Sequence, residues 1–168
     1  MSEPIRENIP EKPAVNEAAV EKMPMAWHGF SVKCLLPLAA AVQALHAVWI
    51  FLGKIYYTGA VRDTVYAGLP AMRILDYALA AMLLLAAVLL LLARGRLAKM
   101  QKPGIKQLLA GWSLLGGAWI GYGVLRHLLA GLSQLSIPVV GRAAGYLVLM
   151  LIYRTYYARR SSLFKSEG

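Results

Sequence analysis

With 168 residues, 59% of them hydrophobic and only 15% charged, the chain lacks the polar surface that a soluble domain of this size needs. A formal charge of +10 invites a nucleic-acid reading, but the basic residues flank apolar stretches and form no single patch, so nucleic acid is excluded as a partner. Cys34 is the only cysteine, which excludes an internal disulfide and any multi-cysteine metal or cluster site within one chain.

Residues 1–27 are polar and rich in Glu, Pro and Ala. They lack the apolar core of a cleavable signal and read as a disordered cytoplasmic tail. Residues 28–160 form the membrane domain. A helix rises ~1.5 Å per residue, so ~20 apolar residues cross a ~30 Å hydrocarbon core. Four stretches meet that length, at about 34–52, 74–93, 108–130 and 137–153. A short cytoplasmic tail, 161–168, closes the chain. The expected fold is all-α, a four-transmembrane-helix bundle in the cell membrane.

Span one carries Gln43 and His46, three apart and therefore on one helix face. The first connection holds Tyr56, Tyr57 and Tyr66 and a Gly68-Leu69-Pro70 break, with room for a short interfacial helix over 61–69. Span two contains Asp76, the only acid inside any span. The second connection holds Arg94, Arg96, Lys99, Lys102 and Lys106, and its Pro103-Gly104 pair predicts a tight turn between antiparallel spans two and three. Span three has Gly117 and Gly121 in GxxxG spacing, followed by Tyr122, Arg126 and His127. The third connection has no charge. Span four has Gly141 and Gly145 at the same spacing, with Arg142 and Tyr146. These four glycines are expected to seat spans three and four against each other, with homodimerisation as the alternative. Arg154, Arg159, Arg160 and Lys165 follow the last span, and Leu163 and Phe164 are expected to dip into the inner leaflet.

Positive connections stay in the cytoplasm. The charge of the second connection and of the chain's end therefore places both termini inside. Arg94, Arg96, Lys99, Lys102, Arg159 and Arg160 then face anionic lipid. Aromatic residues collect at both span ends, with Trp49, Tyr56 and Tyr57 outside and Trp27, Phe30, Tyr153, Tyr156 and Tyr157 inside.

In this topology Gln43, His46, Asp76, Tyr122, Arg126, His127, Arg142 and Tyr146 fall in the outer half of the bundle. A charge at the bilayer centre costs at least ~2.5 kcal/mol, so such groups face the interior and pair. Three readings are open. Asp76 forms ion pairs with Arg126 and Arg142 that fix helix positions. The group forms an outward pocket for a small anion, lipid headgroup or substrate. Or His46 and His127 ligate a haem, although no haem-attachment motif is present. The first leads, because a shallow cluster is solvated by water and headgroups.

No HExxH, GxSxG, P-loop or zinc spacing occurs, and Asp76 has no second carboxylate for acid/base work. The expectation is a non-enzymatic membrane protein without cofactor, an accessory or membrane-organising subunit. Its partners are anionic lipids and a membrane-protein partner or a second copy. The alternative is a small transporter or binding protein with an outward anion or headgroup pocket.

The stretches YYTGAVRDTVYAGLPAMRILDYALAAMLLLA and IYRTYYARRSSLF, with the basic RLAKMQKPG loop, resemble a group of small four-helix integral membrane proteins of clostridia-like Gram-positive bacteria. The elements that carry it are Asp63-Thr64-Val65-Tyr66-Ala67 and Tyr156-Tyr157-Ala158-Arg159-Arg160. The resemblance spans about residues 30–165 and implies architecture, not activity. The zinc ribbon of some members does not carry over, since no cysteine pair precedes span one.

Overall fold

The computed structural model describes residues 25–56, 58–130 and 137–165. Residues 1–24 of the expected N-terminal tail, Tyr57, residues 131–136 of the third connection and residues 166–168 lie outside the described residues, and the expected tail boundary at 27 is corrected, since helix begins at Ala26.

The described chain is helical: α1 (Ala26–Phe51), α2 (Gly59–Gly68), α3 (Pro70–Ala98), α4 (Lys102–Ala130) and α5 (Ile137–Ala158), followed by a 3₁₀ turn at Ser161–Leu163. By length and composition α1, α3 and α4 are each able to cross a membrane. The helices overrun the apolar stretches because the flanking Lys, Arg, Met and Ala residues are good helix formers.

Proline shapes the start of α1. Pro37 lacks an N–H, and its ring crowds the carbonyl four residues back, at Lys33. Over Ser31–Leu35 the helix is π-helical, one residue wider per turn, which absorbs that conflict. Arg94 of α3 donates from Nε to the Val32 carbonyl of this widened stretch at 3.1 Å.

α1 closes on Gly53, at φ +70°. The Gly53 N–H bonds the Ile50 carbonyl at 2.8 Å and the Lys54 N–H bonds Trp49 at 3.0 Å, the pattern of a left-handed C-terminal cap. α3 closes the same way on Met100, at φ 54°. The turn between α3 and α4 is therefore Lys99–Gln101, and the expected Pro103-Gly104 turn is corrected. Those two residues sit in the first turn of α4, where a missing N–H costs nothing. Gly104 is required there by contact, because a Cβ would stand 2.9 Å from the Leu97 nitrogen.

Leu83, Leu90 and Leu97 on α3 and Leu108 and Leu115 on α4 are fully buried at seven-residue spacing, which makes the seam of this hairpin. α1 packs on the other side of α3, and α5 packs on α4. Three side-chain bonds tie α5 back to α1. Gln43 Nε2 donates to Tyr146 OH, Tyr153 OH donates to Ser31 Oγ, and His28 Nδ1 meets Tyr157 OH, each at 2.9 Å. Trp112 stacks on Tyr146 and Tyr153, and Tyr153 stacks on Tyr157, so an aromatic column fills the α1–α4–α5 space.

The chain's end returns to the bundle. The Lys102 N–H donates to the Lys165 carbonyl at 3.0 Å, and the Lys165 N–H to the Met100 carbonyl at 2.8 Å. Phe164 is buried against His28 and Tyr157, and Leu163 packs on the core, which corrects the expected leaflet anchor. Outward, Leu38, Leu45, Ile74 and Leu128 are 63–73% exposed, an apolar surface suited to lipid.

Candidate functional site

Asp76 sits in the second turn of α3 and is 0% exposed. Three phenols answer for its burial. Tyr56 and Tyr66 donate to Oδ2 at 2.9 and 2.8 Å, and Tyr122 donates to Oδ1 at 2.9 Å. Three O–H donors largely satisfy the lone pairs of a carboxylate.

Each donor comes from a different element. Tyr122 is on α4, Tyr56 is in the first connection, and Tyr66 is on α2. Thr58 caps α2 by accepting the Val61 N–H on Oγ1 at 3.2 Å, and the break at Leu69-Pro70 sends the chain straight into α3. The Tyr56 and Tyr66 rings meet edge to face, 5.6 Å apart. Burial first, and then the Asp76 carboxylate, raise both phenols above their usual range, so both remain donors at neutral pH.

The expected ion pairs are corrected. Neither Arg126 nor Arg142 is within salt-bridge distance of Asp76. Arg126 lies over the Tyr122 ring at 5.9 Å, and Arg142 over the Trp119 ring at 4.7 Å. Neutral phenols satisfy a buried carboxylate without the desolvation that a second charge would bring.

The remaining sequence-derived residues form neighbouring groups. His46 packs its ring on Trp119 at 5.4 Å, and Trp119 meets Tyr122 at 6.0 Å. Gln43 and Tyr146 belong with Trp112 in the aromatic column. His127 is exposed, eight residues or about 12 Å of helix axis beyond Trp119. With His46 engaged on Trp119 and His127 exposed, these positions do not fit the two-histidine haem arrangement. Among the described residues no three His, Cys, Asp or Glu side chains gather as a metal site.

The glycines also fall differently. A Cβ at Gly117, Gly121, Gly141 or Gly145 would meet nothing within 4 Å. Helix contact is made instead at Gly116, where a Cβ would stand 2.9 Å from Leu147 Cδ2, and at Gly111, 3.0 Å from Leu90 Cδ2. Gly117 and Gly121 line an apolar groove of about 490 Å³ on the α3–α4 flank, with Leu75, Met82, Tyr122 and Leu125. A second cavity, about 370 Å³, lies under α2 and is lined by Tyr56, Thr64, Val65, Leu69, Met72 and Arg126.

At the opposite end of the bundle Arg94, Lys99, Lys102 and Arg159 are exposed, while Arg96 is partly buried. Arg160 lies 4.0 Å over the Tyr156 ring.

Sequence reasoning missed Tyr56 and Tyr66 as partners of Asp76, and Trp112 and Trp119 as the rings around which the other candidates gather. The signals were present. A carboxylate near the start of a span draws donors from the chain leading into it, and two tryptophans seven apart share a helix face.

No family model, curated protein or solved structure matches the chain.

Proposed function

We propose that this chain is a non-enzymatic, multi-pass protein of the cell membrane, with four spans and both termini cytoplasmic, that serves as an accessory or membrane-organising subunit. α5, 22 residues long and packed along α4, is the fourth span in this reading. The basic end faces the cytoplasm by the positive-inside rule, and α2 covers the outer end. The observation that carries the reading is the environment of Asp76. The one carboxylate inside the spans is committed to three phenols from three elements, which is the work of a structural clasp. The resemblance to small four-helix membrane proteins points to the same architecture.

A second reading, an outward pocket for an anion or lipid headgroup, is favoured by one feature. With Asp76 taken by phenols, the guanidinium of Arg126 has no carboxylate partner among the described residues and lines the cavity under α2. Purification from native membranes in mild detergent, followed by mass spectrometry, separates the two. A stoichiometric membrane-protein partner bears out the accessory reading. Bound lipid or anion without such a partner moves the assignment to the pocket.

A further inference from the structure

The two cavities at the α2 end differ in chemistry, and Tyr122 joins them. Tyr122 lines the apolar groove of the α3–α4 flank, and its ring lies under the Arg126 guanidinium, which borders the cavity below α2. Consecutive residues of α4, Leu125 and Arg126, line the groove and the cavity respectively. The groove is hollow because Gly117 and Gly121 bring no side chains to it. Neither is within 4 Å of an atom that a Cβ would touch, so packing within the chain does not require glycine at either position.

We infer that this pair of cavities binds one anionic phospholipid, its phosphate on Arg126 and one acyl chain along the α3–α4 groove. The inference rests on the second reading of the outer cavity and adds the apolar half of the ligand. Arg126 is half-buried, no carboxylate among the described residues pairs with it, and guanidinium N–H groups match phosphate oxygens. Around it the cavity is largely apolar, with Val65, Leu69 and Met72, which strengthens a charge-assisted bond by excluding water. The groove runs down the flank that lipid faces, so an acyl chain enters it from the bilayer without unfolding anything.

The test is native mass spectrometry of the full chain in detergent, titrated separately with phosphatidylglycerol, phosphatidylcholine and inorganic phosphate. The expected result is one phosphatidylglycerol retained per chain in preference to phosphatidylcholine, with no binding of inorganic phosphate. Arg126→Gln is expected to weaken phosphatidylglycerol about tenfold or more and to abolish the preference. Gly117→Leu and Gly121→Leu extend into the groove, and because leucine favours helix and its Cβ meets no neighbour at either position, both should fold normally and lose retention of either lipid. If Arg126→Gln changes nothing, the headgroup reading of the outer cavity falls, and the inference with it. If Arg126→Gln acts but both leucine variants bind as the parent does, the acyl-chain inference falls while the headgroup reading stands. Binding of inorganic phosphate as tightly as phosphatidylglycerol overturns the lipid assignment.

Discussion

At the scale of single residues, Asp76 is the point where the sequence poses its clearest question and the structure gives an answer. Asp76→Asn keeps the shape but turns an NH₂ donor toward a phenol donor. Side-chain bonds between membrane helices average ~0.6 kcal/mol, but bonds to a carboxylate are stronger. Loss of about 2 kcal/mol is therefore expected, read as a lower midpoint of heat unfolding in one detergent. The swapped pair Asp76→Arg with Arg126→Asp should be no more stable than the worse single variant, because the two side chains form no ion pair. Rescue by the swap would restore the ion-pair reading. Part of this site was legible from spacing alone. Asp76 stood out as a lone acid in an apolar run, and Tyr122 was placed with it through Arg126, one helical turn away. Tyr56 and Tyr66 were not, because helical periodicity says nothing about where a connection folds. Arg126 and Arg142 were favoured as partners because guanidinium fits carboxylate. Their cations rest instead on aromatic faces supplied by Tyr122 and Trp119.

At the scale of elements, α2 and the connection leading into it are each held on the bundle by one phenol bond to Asp76 of α3, and this makes their attachment sensitive to alkali. Tyr56 and Tyr66 bind their protons more tightly in the folded chain than in the unfolded one, burial being the larger cause. Their contribution is therefore complete below the ordinary phenol value of about 10 and is lost as pH rises through the elevated folded values. Heat stability should be flat with respect to these groups from neutral pH to about 10 and fall above it. The phenolate absorbance of the last tyrosines to ionise should appear together with that fall. Tyr56→Phe should remove one late ionisation, and an alkaline fall that survives unchanged in Tyr56→Phe with Tyr66→Phe would assign the transition elsewhere. The elements themselves were largely readable, as four apolar runs and a short helix in the first connection. Their ends were not. Proline and glycine at 103–104 read as a turn, yet α4 accommodates both in its first turn, and Met100 takes the left-handed position. Close approach to Leu97 claims the glycine, a tertiary demand that local turn chemistry does not register. The same limit applies to the GxxxG spacings, where Gly116 makes the contact and Gly117 and Gly121 leave a groove.

For the whole molecule, the proposed four-span reading turns on how α5 is threaded relative to the other helices. α1, α3 and α4 are long and apolar enough to cross, and α5 is the shorter helix, with Arg142 near its start and Arg154 near its end. Two features favour its crossing. It is antiparallel to α1 through bonds at Gln43–Tyr146, Ser31–Tyr153 and His28–Tyr157 along its second half, and near its start Arg142 lies over Trp119 of α4. The segment that follows it also pairs with the α3–α4 turn, Lys165 bonding Met100 and Lys102. A helix joined to a spanning neighbour at both ends has its ends at the same two depths as that neighbour. In the proposed four-span reading the Lys99 turn and Ser161 share one side, and α2 and the start of α5 the other. Single cysteines in a Cys34→Ser background test this with a membrane-impermeant maleimide on intact cells. Ala60→Cys and Ser133→Cys should label, while Lys99→Cys and Ser161→Cys should label only after the membrane is opened. If Ser133→Cys and Ser161→Cys label alike in intact cells, α5 does not cross. If all four patterns invert, the bundle is threaded as proposed but faces the other way, and the Arg126 cavity would open to the cytoplasmic leaflet.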